Sequence, residues 1–161
     1  MKKGVIATLF GVGGVVLGAL GVGKTMKEKV DYKSKMSEKH LALYLMMNQW
    51  VKVKQENKSI ADYLEKNGYK EIAIYGMNYV GETLMAELAN SNIKVKYGID
   101  KNADMIYSDI DVVTPDDALD SVDAVIVTAI TFFDEIEEAL FEKMDCPILS
   151  MEDILNEINE V

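Results

Sequence analysis

The chain has 161 residues, a formal net charge of −10, one cysteine, one histidine and two prolines. A single cysteine excludes a disulfide within the chain, and with only one histidine beside it a structural zinc site is excluded as well. The charge is divided: residues 1–58 carry 11 lysines against 4 acids and residues 59–161 carry 6 against 23, giving +7 and −17, and so acidic a body repels the phosphates of DNA or RNA.

Residues 4–23 contain no charged side chain and are bracketed by Lys2, Lys3 and Lys24. At 1.5 Å per residue such a run covers roughly the 30 Å hydrocarbon core of a bilayer, which predicts a single-pass membrane anchor over residues 1–23. The alternative is a cleaved signal peptide with Ala19-Leu20-Gly21 as the cleavage site. The length of the run and the lysines after it favour the anchor. Lys24, Lys27, Lys29, Lys33 and Lys35 outnumber Lys2 and Lys3, so the expected location is the cell membrane with the C-terminal domain in the cytoplasm. Gly4, Ala7, Gly11, Gly14, Gly18 and Gly21 recur at spacings of three and four and fall within an arc of about 100°. That groove suits close helix contact, and it predicts a homo-oligomer through Gly11, Gly14, Gly18 and Gly21. The letters of a phosphate-binding P-loop also occur, from Gly18 to Thr25, but no buried strand precedes them, so the match is one of letters alone.

Residues 24–58 read as a basic helical stalk, since Thr25 to Gln55 lacks proline and glycine and is rich in Lys, Glu, Met and Leu. Leu43, Met46, Trp50 and Val53 share one helix face, a stripe better explained by packing on the following domain than by a partner. Ser59 is a good N-cap for a helix over 60–66 that Asn67-Gly68 closes.

Residues 59–161 then alternate. Strands are predicted over 72–75, 95–99, 110–113, 124–128 and 147–149, and helices over 79–89, 115–119, 133–143 and 151–159. Apolar runs such as Val125-Ile126-Val127 indicate strands covered on both faces. The fold class is therefore α/β: a small, doubly wound parallel sheet of about five strands in the order 3-2-1-4-5, preceded by the transmembrane helix and the stalk.

The chemistry concentrates in residues 72–100. A strand ends at Gly76, Gly81 opens a helix, and a second strand ends in Asp100, the order of a first β-α-β unit of a dinucleotide-type fold. Gly76 permits the tight turn and Gly81 lets helix approach strand, while the amides of Asn78, Tyr79 and Val80 face an anion at the helix start. Asn78 stands where the usual fingerprint has its middle glycine. Asp100 is placed for a ribose hydroxyl, and Thr128 and Thr131 lie at the carboxyl end of the fourth strand, where ligands of such sheets bind. Thr114 stands likewise at the end of the third strand, but Thr114-Pro115-Asp116-Asp117 is also a well-formed helix start, which explains Thr114 without a ligand. Tyr97 and Lys101 have the Tyr-x-x-x-Lys spacing of short-chain dehydrogenases but straddle a strand end, where the two side chains diverge. No catalytic group and no metal ligand set is evident.

Residues 72–100, the run Asp123-Ala124-Val125-Ile126-Val127-Thr128 and the ending Cys146 to Leu155 resemble a family. They look like the Rossmann-like nucleotide-binding domains of bacterial surface-polysaccharide proteins, including the nucleotide-sugar-binding front domains of sugar acetyltransferases and dehydratases. The resemblance covers about the last hundred residues. It implies a nucleotide sugar or NAD(P) as ligand and a partner in envelope synthesis. In composition, the N-terminal helix is similar to the glycine-zipper anchors of small Gram-positive envelope proteins. The expected function is that of a membrane-anchored nucleotide or nucleotide-sugar binding protein, accessory to cell-envelope polysaccharide assembly. Two alternatives stand beside it: an NAD(P)-dependent oxidoreductase or sugar-modifying enzyme completed by a partner chain, and a ligand-free recruitment module.

Overall fold

The computed structural model describes the backbone of residues 4–160 and the side chains of residues 29–160. The chain divides into two compact units, Met1–Leu41 and Ala42–Val161. Helix α1 runs Gly4–Gln55. The apolar run 4–23, with Gly11, Gly14, Gly18 and Gly21, lies outside the residues whose side chains are described. Among the described residues no helix is long and apolar enough to cross a membrane.

The second unit continues with α2 (Ile60–Lys66), β1 (Glu71–Tyr75), α3 (Tyr79–Leu88), β2 (Lys94–Ile99), β3 (Val112–Val113), β4 (Ala124–Val127), α4 (Phe133–Phe141), β5 (Ile148–Ser150) and α5 (Met151–Glu160). All strand pairs are parallel and the sheet order is β3-β2-β1-β4-β5, as the alternation of elements predicts. Strand alternation feeds two cores. Ile72, Ile74 and Ile126 pack with α2, α3, α5 and the end of α1, while Ala73, Tyr75, Val125 and Val127 pack with α4. A bulge interrupts the β1–β2 register, where Ile72 pairs with Val95 but Ala73 with Tyr97. The extra residue, Lys96, lets Val95 join the first core while Tyr97 and Ile99 join the second.

The predicted helix over 115–119 does not form. The Asp117 carboxylate accepts from both the amide (2.7 Å) and the hydroxyl (2.8 Å) of Thr114, and the Asp117 amide returns to the Thr114 carbonyl at 3.2 Å. Those bonds have the form of a capping box, yet only a single turn closes, because within 115–119 Leu119 alone packs, partly buried, against the second core. α4 is in consequence the one helix packed on its face of the sheet among the described residues. The third strand is also shorter than its predicted span, 112–113 against 110–113.

The apolar stripe of α1 is core. Met46 and Val53 are fully buried, Trp50 nearly so, and Leu43 packs partly buried against them. What holds this helix end in place is Glu87 on α3, whose side chain is only 8% exposed. Its carboxylate accepts from the Trp50 indole (2.6 Å) and the Ile60 amide at the start of α2 (2.9 Å), and pairs with Lys54 at 3.2 Å. Ser59 caps α2 as its sequence suggests, accepting from the Asp62 amide at 3.0 Å, and Gly68 (φ +83°) turns the chain toward β1.

Removing the Glu87 carboxylate strands two buried donors, so Glu87→Ala should lower unfolding free energy by about 2–4 kcal/mol. Glu87→Gln, which keeps one acceptor, should lose roughly half as much. Denaturant titration followed by Trp50 fluorescence measures both, and an unchanged midpoint for Glu87→Ala would refute the role.

Asp123 accepts from the amides of Glu71 and Lys70, both at 2.8 Å, and these bonds hold its carboxyl below the ordinary value of 3.8. A depressed folded-state value means the stabilisation is present above the unfolded carboxylate range and lost as pH falls through the folded one. Asp123→Asn should therefore be less stable than the native chain at neutral pH, and the gap should close below about pH 4. Thermal melts across pH 2 to 7 test this, and a constant gap would count against it.

Candidate functional site

β1 is the central strand, and the order of strands reverses beside it: β2 lies on one side and β4 on the other. At that switch point the carboxyl end of β1 turns into α3. Gly76 adopts φ +95°, a conformation that L side chains rarely take. A Cβ there would lie 2.6 Å from Thr128 Oγ1, and one at Gly81 would lie 2.5 Å from the Gly76 carbonyl oxygen. Both glycines are thus required by close approach, the first to the end of β4 and the second between α3 and the turn.

Thr128 is fully buried. Its hydroxyl donates inward to the Gly76 carbonyl at 2.6 Å, with the Tyr75 carbonyl at 3.1 Å, and its amide donates to Tyr75 at 2.9 Å. The side chain ties β4 to the turn and faces no solvent. The Gly76 amide is in turn held by the Ile99 carbonyl at 2.8 Å, so β1, β2 and β4 all fasten this residue.

Asp100, half-buried at the end of β2, reaches the same turn. One carboxylate oxygen accepts from the Met77 amide at 3.0 Å and the other from the Asn102 amide at 2.9 Å. A carboxylate offers about four lone-pair positions, so two bonds leave acceptor capacity for a ligand hydroxyl. Asn78 is the N-cap of α3, its side-chain oxygen accepting from Val80 at 3.0 Å. Its place in the fingerprint is thereby explained by capping, and the Val80 amide is already satisfied. The amides of Asn78, Tyr79 and Gly81 have no intrahelical acceptor by their position at the helix start. The Tyr79 side chain is 87% exposed beside them, and Val80 is buried in the core.

Two residues at this edge escape a reading of the sequence. Met77 is buried and crosses β2 where Gly98 leaves room, since a Cβ at Gly98 would lie 2.6 Å from Met77 Cγ. A glycine inside an apolar strand is the signal that could have revealed this close approach. Tyr75 ends β1 on the α4 side, and burial, reinforced by the negative charges of Asp100 and Asp116, raises its phenol above the ordinary value. It is therefore a protonated group at neutral pH, next to the turn.

The structure brings together Gly76, Asn78, Gly81, Asp100 and Thr128, with Tyr79 and Val80 at the same helix start. It leaves Thr114 engaged with Asp117, and Thr131 exposed in the short turn before α4. Two cavities lie away from this turn. One of about 620 Å³ runs between α1 and α3 past Trp50, Val51, Thr83 and Ala86, and one of about 390 Å³ lies between α2 and α5. The chain is thus an α/β protein with a five-stranded parallel sheet and a glycine turn at its switch point. No family model, curated protein or solved structure matches it.

Because the Gly76 Cβ position and Thr128 Oγ1 collide, substitutions at the two sites should not add. Thr128→Val should cost about 1–3 kcal/mol through the stranded Gly76 carbonyl. Gly76→Ala should cost more, through backbone strain and collision together. The double variant Gly76→Ala/Thr128→Ala should be more stable than the sum of its single changes predicts. Strict additivity in denaturant melts would show that the two groups do not meet.

Proposed function

We propose that the carboxyl edge of the sheet, at the Gly76 turn, binds a nucleotide or nucleotide sugar, and that the protein does so as an accessory component of cell-envelope polysaccharide assembly. The observation that carries this reading is the coincidence of the Gly76 turn and the α3 start with the β1/β4 switch point, where open parallel sheets take their ligands. The orphan amides at the start of α3 suit a phosphate. The remaining acceptor capacity of Asp100 suits a ribose hydroxyl from the same side of the turn.

A second reading rests on a specific feature: the chain's own groups satisfy much of the turn. Asp100 takes the Met77 amide, Asn78 takes the Val80 amide, and Met77 fills the space over Gly98. On this reading the domain is a ligand-free module that recruits partners.

Calorimetric titration separates the two. Because Met46, Trp50 and Val53 belong to the core, the unit to titrate is residues 42–161. A nucleotide sugar should bind more tightly than its nucleoside, and more tightly than a deoxyribose analogue by roughly 1.5–3 kcal/mol, the worth of one hydrogen bond to a charged group. Asp100→Ala should erase the second difference. Equal binding of all three ligands by the native unit, or none at all, would leave the recruitment reading in its place.

The same proposal places residues 4–23 in the membrane as a single-pass anchor with the acidic domain on the cytoplasmic side, and pairs anchors through Gly11, Gly14, Gly18 and Gly21. Protease added to intact cells should then spare the domain, and Gly14→Leu with Gly18→Leu should abolish the signal of a membrane-association reporter. Digestion of the domain would overturn the topology, and an unchanged signal the pairing.

A further inference from the structure

We draw no further inference here: the strongest candidate, the exposed apolar surface of α1 at Tyr44, Leu45 and Val51, is an unpartnered helix surface, and nothing in the structure shows what covers it.

Discussion

The left-handed turn at Gly76 is the constraint on which the carboxyl edge depends. A strand running into a helix over so few residues must reverse its backbone, and at φ +95° only glycine does so without strain. The turn is then fixed by three neighbours: Ile99 on its amide, Thr128 on its carbonyl, and Asp100 on the amide of the following residue. Ile99 and Asp100 stand at the end of β2 and Thr128 at the end of β4, so the turn that leaves β1 reports the correct assembly of all three strands. A buried hydroxyl at Thr128 is tolerated because its donor is spent on a carbonyl, and the Gly76 carbonyl has no strand partner to replace it.

Glu87 performs a comparable task on the opposite side of the first core. A carboxylate with an 8% exposed side chain is costly unless its oxygens are satisfied. Here an indole, a helix-start amide and a lysine satisfy them. Two of the three donors, Trp50 and Lys54, belong to α1 and the third, Ile60, opens α2, while the acceptor belongs to α3. The end of α1 is therefore built into the α/β unit, and the compact unit Ala42–Val161 takes in the residues Ala42, Leu43 and Met46 that pack on the same core. Lys54, half exposed, contributes less than the two neutral donors because solvent screens it.

The two faces of the sheet are covered unequally, and the cause is local. Thr114-Pro115-Asp116-Asp117 has the letters of a helix start and makes the bonds of a capping box, but no apolar face follows to hold a helix on the sheet. A seven-residue helix such as α2 persists because its apolar side is buried by α3 and α5. Leu119 gives the 115–119 segment only one partly buried anchor against the second core.

The sequence by itself determined the alternation of strands and helices, and through it the parallel sheet and its order, because burial on both faces leaves an unbroken apolar run that composition alone reveals. It also determined the two glycines of the turn and the acid facing them, since backbone conformation and close approach restrict residue type at those points. What only the tertiary structure decided is how the polar groups there are spent. Asn78 caps its own helix, Thr128 turns inward, and Asp100 holds a backbone amide. Residue type gives a side chain its hydrogen-bonding capacity, but which donor meets it depends on strands brought together from positions 50 residues apart, as for Thr128 and Gly76, whose bond spans 52. The same holds for Glu87, whose value as an anchor exists only once Trp50 and Ile60 arrive beside it.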